Sequence, residues 1–147
     1  MLELLESRRA HYLLAALLRI AASDRPVSGK ALAEQMRCPR RYLEPDLQAL
    51  TAAGVLESRR GAGGGYRLAM NPHRVSLELI LRCMDAREPP LPDDGGPLLA
   101  QVARPVLDEL RQTCREALTA VTLADCLDRA QAAGLLDRAG SAPNFSI

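Results

Sequence analysis

The sequence predicts a mainly α-helical fold with one small β-hairpin and a long helix in its C-terminal half. Three observations lead there. Apolar residues recur at helical spacing through most of the chain. One pair of short alternating segments flanks a run of glycines, the pattern of a hairpin. The longest periodic stretch follows a break rich in proline and glycine, which sets it apart from what precedes it. The 147 residues suffice for one core and an appendage.

The first periodic segment runs from about Ser7 to Ala22, where Tyr12, Leu13, Ala16, Leu17 and Ile20 define a face widened by Leu14, Leu18 and Ala21. The polar run Ser23-Asp24-Arg25-Pro26 stops it. Ser28 then offers an N-cap to a second helix, whose Ala31, Leu32 and Met36 face the same core and which breaks at Arg37-Cys38-Pro39. A third helix carries Tyr42, Leu43, Leu47 and Leu50 and ends at Ala53-Gly54, with Gly54 suited to a left-handed position after the last turn. Val55 to Arg59, the tip Arg60 to Gly65, and Tyr66 to Ala69 read as strand, turn and strand. Ser76 caps a short helix from Leu77 to about Ala86. Beyond a proline- and glycine-rich loop, Leu99, Ala103, Val106, Leu110, Cys114, Ala117 and Val121 repeat close to the helical period. Pro105 is expected to kink that helix or to mark the first turn of a shorter one. A closing helix, about Leu123 to Ala133, stops at Gly134.

Composition narrows the function classes. The net charge is only +1, but residues 1–74 hold 12 Arg/Lys against 7 Asp/Glu (+5), and residues 75–147 hold 7 against 11 (−4). Only the first part suits a polyanion. No apolar run approaches membrane-spanning length, and the signal-peptide order of basic start, apolar stretch and small-residue site is missing. The expectation is a cytoplasmic protein with no membrane partner. It is also not an enzyme: His11 and His73 stand next to no plausible nucleophile or paired carboxylates, and His11 reads as helix packing. The glycine run lacks a following Lys-Ser/Thr and leads into a strand, so it is not a phosphate loop. Cys38, Cys83, Cys114 and Cys126 are scattered with no CxxC pair, which argues against a disulfide framework and a zinc site. Cys83, Cys114 and Cys126 read as small buried apolar side chains and Cys38 as the most exposed; a redox role, if any, falls to Cys83 or Cys114.

Two short helices with a tight break between them describe a helix-turn-helix, and a hairpin directly after it makes a winged helix. Each part has a physical task. The third helix fits the major groove of double-stranded DNA, where Arg forks onto guanine, Gln pairs with adenine and Glu accepts from cytosine. Arg40, Arg41, Tyr42, Glu44 and Gln48 lie at its start or on its exposed face. Ser28, at the start of the preceding helix, joins these candidates. The hairpin offers Arg59, Arg60 and Arg67 around the small tip residues Gly63, Gly64 and Gly65, a shape that reaches phosphates or a narrow minor groove. Taken singly, Tyr42 reads equally as core and Glu44 as the partner of a neighbouring Arg.

Arg40-Arg41-Tyr42-Leu43-Glu44, Leu47-Gln48-Ala49-Leu50, Ala53-Gly54-Val55-Leu56 and Arg60 through Leu68 together resemble the bacterial winged helix-turn-helix regulator family of IscR, NsrR and CymR. The likeness continues through Val75 to Ile80 and Val121 to Asp125, and covers roughly residues 7–128. It implies a homodimeric, repressor-like transcriptional regulator in which the long helix crosses to the partner and two recognition helices read a palindromic operator. It also implies that Arg40, Arg41 and Tyr42 meet the major groove, and Arg60 with the wing glycines the minor groove. The dimerising face is then Leu99, Val102, Val106, Leu110, Cys114, Ala117 and Val121.

Two departures from the family pattern stand out. Cluster-binding members carry three cysteines in the loop before the dimer helix, and residues 87–97 contain none. The resemblance therefore implies no iron–sulfur cluster held in the usual way, and no other cofactor is predicted. Pro45 stands where cluster-type members tend to have Gln; because a mid-helix proline is costly, the third helix is expected to start late, near Arg41 or Tyr42, or to bend at Pro45. The resulting division is a winged helix-turn-helix over 1–86, a linker loop over 87–97, dimerisation and closing helices over 98–134, and a flexible tail over 135–147. Two other readings stay open: a thiol- or ligand-gated sensor of the same type with an effector the sequence does not name, and a protein-interaction adaptor that has lost DNA binding.

Overall fold

The computed structural model describes residues 2–84 and 96–136. Helix α1 (Leu2–Glu6) leads into α2 (Arg8–Ala21), α3 (Gly29–Met36) and α4 (Arg40–Ala52), and the hairpin β1 (Leu56–Arg59) and β2 (Gly65–Leu68) follows. A 3-10 turn (Pro72–Arg74) precedes α5 (Leu77–Met84). The C-terminal part comprises α6 (Gly96–Leu98), a π-helical turn (Leu99–Ala103), α7 (Arg104–Ala120) and α8 (Leu123–Ala132).

Two helices of the first half start on serine caps that the sequence supplies. Ser7 Oγ accepts from Ala10 N–H and starts α2; Ser28 Oγ accepts from Ala31 N–H at 3.1 Å and starts α3. Helix α3 stops where Arg37, not a glycine, turns left-handed (φ 50°). Leu13, Ala16, Leu17 and Ile20 of α2, Leu32 of α3 and Leu43, Leu47 and Leu50 of α4 form one buried core, closed below by Val55, Leu56, Val75 and Ile80. Each such leucine stabilises the fold by roughly 1.5–3 kcal/mol.

The hairpin pairs Leu56 with Leu68, Glu57 with Arg67, Ser58 with Tyr66 and Arg59 with Gly65. It does not stand alone. Val27, just before α3, exchanges both backbone hydrogen bonds with Tyr66 (2.9 and 2.8 Å), so the chain entering the helix-turn-helix forms a third rung beside β2. A similar bridge ties the halves of the chain together: Leu77 N–H donates to Val121 C=O at 2.9 Å and Leu123 N–H to Val75 C=O at 2.8 Å. A capping box at Thr122 and Asp125 fixes the start of α8 beside this bridge.

Several expectations need correction. A short helix, α1, precedes Ser7, where the sequence reading assigned no element. Helix α4 begins at Arg40, not late, and continues through Pro45 to Ala52. The reason is local: Pro45 forfeits a single hydrogen bond to the Arg41 carbonyl, and both residues lie on the exposed side, where water reaches that oxygen. Cys38 is buried at 8% exposure, because the turn folds it under the core. Its companions Cys83, Cys114 and Cys126 are half-buried rather than fully buried. His11 is exposed and donates from Nδ1 to Ser7 C=O at 2.7 Å, so it is not packed. Gly96 and Pro97, assigned to the linker, belong to α6. Pro105 sits in the first turn of α7, directly after the π-helical turn, as one of the two alternatives required. The rest of the expected linker, the end of the short helix at residues 85 and 86, and positions 137–147 of the expected tail lie outside the described residues.

Candidate nucleic-acid interface

The rotation of α4 decides which of its side chains are offered outward. Leu43, Leu47 and Leu50 anchor one side, and Asp46 lies among them at 1% exposure. A carboxylate so buried needs a partner. Arg9, projecting from α2, supplies it: its Nε donates to Asp46 Oδ2 at 2.6 Å and its Nη2 to Asp46 Oδ1. This forked pair raises the Arg9 pKa above its ordinary value, chiefly through the hydrogen bond to Asp46 and against the cost of partial burial. The pair locks α4 against α2 at a position that sequence reading missed. A signal was present: Asp46 sits three residues after Leu43 and four before Leu50, on the apolar side of the helix.

With that side fixed, Arg40, Arg41, Tyr42 and Gln48 are exposed and Glu44 half-exposed, all on α4. Tyr42 is 46% exposed, so it is not core, and the Arg41 guanidinium lies 5.8 Å from its ring centroid. Arg40 donates to Glu44 Oε1 at 3.2 Å, one turn further on. This flank meets the wing. A side chain built on Gly29 would touch Arg40 Nε at 3.6 Å and Tyr66 Cε2 at 3.7 Å, which shows how closely α3, α4 and β2 converge. Burial pushes the Tyr66 phenol above its ordinary pKa, the Glu44 charge adds to that and Arg40 opposes it.

The wing tip exposes Arg59, Arg60 and Gly63, with Gly64 and Gly65 half-buried in the turn. Gly65 is required where it stands: its φ is +143°, and a Cβ there would fall 2.4 Å from the Val27 carbonyl carbon. That contact seats the wing on the helix-turn-helix. Arg67 is drawn across the hairpin to Glu57, its Nε donating at 2.7 Å, so part of its charge is committed within the wing. Ser28 is exposed at the start of α3, where its oxygen caps the helix while its hydroxyl hydrogen stays available. The structure thus brings Arg40, Arg41, Tyr42, Glu44 and Gln48 together on α4 and sets Arg59 and Arg60 on the neighbouring wing.

Of the dimerisation candidates, Leu99 and Val102 lie in the π-helical turn, Val106, Leu110, Cys114 and Ala117 on α7, and Val121 just past its end. Val102, Val106 and Leu110 are 54%, 50% and 59% exposed, and Leu98 and Leu107, both outside the expected set, are 80% and 58% exposed. Leu99, Cys114 and Val121 are half-buried and Ala117 exposed. The half-buried thiols of Cys83 and Cys126 are both pushed above the usual cysteine pKa, first by burial.

Two outward-facing elements, an arginine-bearing helix and a cationic hairpin docked beside it, define a winged helix-turn-helix DNA-binding module. The comparisons agree with that class. The family model Rrf2, described as an iron-dependent transcriptional regulator, matches residues 6–129. The protein slr0846 of Synechocystis sp., whose name places it among HTH-type transcriptional regulators, is 38% identical over 122 residues, covering 80% of this chain and 83% of that protein. Among solved structures, T. potens IscR superposes with a TM-score of 0.66 at 31% identity, covering 95% of this chain and 93% of its own. CymR, the global cysteine regulator of B. subtilis, gives 0.65 at 26%, covering 84% and 95%. The chain belongs to the Rrf2 family. It is a DNA-binding transcriptional regulator and not an enzyme.

The family description names iron, so the donor set matters. Cys38 is in the α3–α4 turn, Cys83 near the end of α5, Cys114 within α7 and Cys126 on α8. Among the described residues no three His, Cys, Asp or Glu side chains gather as a metal ion would need. The sequence of residues 85–95 contributes no cysteine. These residues do not fit a cluster held by three loop thiolates. No helix among the described residues is long and apolar enough to cross a membrane.

Proposed function

We propose that the protein acts as a cytoplasmic homodimeric repressor, in which two copies joined along α7 present two α4 helices and two wings to a palindromic operator. The observation that carries the dimer is the apolar row Val102, Val106 and Leu110, half or more exposed along the π-helical turn and α7, with Leu107 beside it. Large aliphatic side chains left in water at helical spacing call for a cover, and a second copy of the same helix supplies a self-complementary one. Two copies also double the cationic surface, which matches the two-fold symmetry of a palindrome. Arg40, Arg41, Tyr42, Glu44 and Gln48 take the major groove; Ser28, Arg59, Arg60, Arg67 and the turn Gly63 to Gly65 take phosphates and the minor groove.

The regulator also works without a resident three-cysteine cluster, since the loop over residues 87–97 supplies no thiolate for one. The raised pKa values of Cys83 and Cys126 also disfavour a thiolate switch at either, because the reactive form is scarce at neutral pH. The effector is left open. The test is the pair Val106→Glu and Leu110→Glu, read by light scattering and by binding to the protein's own upstream DNA. A wild-type dimer that becomes monomeric and loses DNA affinity in the variants supports the reading; a wild-type monomer that binds DNA equally well overturns it.

A further inference from the structure

We propose that Pro45 is a specificity-determining residue whose ring reads the 5-methyl group of a thymine in the major groove, an assignment that rests on α4 being the recognition helix. Leu43, Asp46, Leu47 and Leu50 are each at most 1% exposed, and the Arg9–Asp46 fork prevents α4 from rolling. At 3.6 residues per turn, the side opposite them is Arg41, Pro45, Gln48 and Ala52, and all four are exposed. Pro45 therefore stands at the middle of the outward face, where a groove-bound helix meets base edges.

Its neighbours are charged or polar. Arg40 is paired with Glu44 at 3.2 Å, and Arg41 leans over the Tyr42 ring. One turn beyond Arg41 on the same face stands a saturated ring with no donor and no acceptor. A proline here also costs a helix hydrogen bond to the Arg41 carbonyl, so helical stability does not account for its presence. What the ring does offer is apolar surface. The one apolar group that base edges present in the major groove is the thymine methyl. The chemistry of the side chain and the position it holds thus select the same partner.

The test begins with the full-length protein and a randomised duplex library, from which bound sequences are selected. Each thymine of the selected duplex is then replaced in turn by deoxyuridine, which keeps every hydrogen bond and removes only the methyl. Binding is measured by fluorescence anisotropy for the wild type, Pro45→Gln and Pro45→Ser. Both variants regain the backbone N–H, so α4 folds at least as well, and circular dichroism checks it. The expected result is a thymine in each half-site where deoxyuridine weakens the wild type about four-fold, the worth of one methyl removed from water. Both variants should bind the thymine and deoxyuridine duplexes equally there. A wild type indifferent to every substitution overturns the proposal, as does a deoxyuridine penalty that persists in both variants. Complete loss of binding in both folded variants overturns it too, since one methyl contact does not carry the whole affinity. Failure to enrich any sequence removes the recognition-helix reading itself; enrichment without methyl sensitivity removes only Pro45's role.

Discussion

Replacing Arg9 by alanine leaves the carboxylate of Asp46, 1% exposed, without the guanidinium that forks onto both of its oxygens. Deleting one member of a buried pair commonly costs about 3–5 kcal/mol, because the other charge stays desolvated and unpaired. The Arg9 side chain is 35% exposed, so water follows it into the gap and the cost falls to about 2–3 kcal/mol. For a chain of this size that lowers Tm by roughly 8–12 °C. The reverse deletion behaves differently. In Asp46→Leu an aliphatic side chain enters an aliphatic site, and the freed Arg9 swings its head into solvent, so the loss is about 1 kcal/mol or less. Urea unfolding of both single variants and of the double variant, at fixed protomer concentration, checks the asymmetry. A loss below about 0.5 kcal/mol in Arg9→Ala would mark the pair as an ordinary surface contact. A greater loss in Asp46→Leu than in Arg9→Ala would refute the reasoning outright.

Gly65→Ala meets the Val27 carbonyl carbon at 2.4 Å and a φ of +143°, so it should destabilise the wing by at least about 2 kcal/mol, whereas Gly61→Ala, with nothing within 4 Å, should cost only about 1 kcal/mol, as thermal unfolding will show. Pro45→Ala restores the hydrogen bond to the Arg41 carbonyl, but because water already reaches that oxygen the gain should be only about 1 kcal/mol; a gain above about 2 kcal/mol in urea unfolding would contradict that. Asp125 accepts from the Thr122 N–H and O–H, which holds its pKa below the ordinary carboxylate value. Its contribution is complete at neutral pH and lost as pH falls through that lowered value, so the Tm curves of wild type and Asp125→Ala should differ near pH 7 and converge in strong acid. Burial raises the Cys83 thiol, so iodoacetamide at pH 7.5 should label it more slowly than free cysteine; faster labelling, read by mass spectrometry, would restore a sensor role.

The elements were legible because each has local causes. Ser28 and Ser76 mark helix starts, Gly54 and Gly134 lie just past helix ends, and the alternation of Leu56 and Leu68 with charged neighbours marks a hairpin. Resemblance to the family made the outward face of α4 and the wing readable as well. What escaped was tertiary. Arg9 and Asp46 stand 37 positions apart, and only their places on apolar faces hinted at each other. A full mid-helix cost for Pro45 predicts a late start for α4, yet an exposed Arg41 carbonyl keeps water as a partner and the helix begins at Arg40. Cys38 was judged by its place in a turn, and the turn packs inward. Arg67 was counted for DNA without regard to Glu57, which register places directly across the hairpin.

On the proposal above, the outward face of α4 reads base sequence. The most direct test is the affinity ratio between a selected duplex and a scrambled one of equal length, measured at one salt concentration for wild type and Arg41→Ala. The wild-type ratio should reach about 10³ or more, and the variant's should fall by roughly ten- to a hundred-fold, the worth of one base contact. A wild type that binds both duplexes alike, or an Arg41→Ala variant that keeps the full ratio, would contradict it.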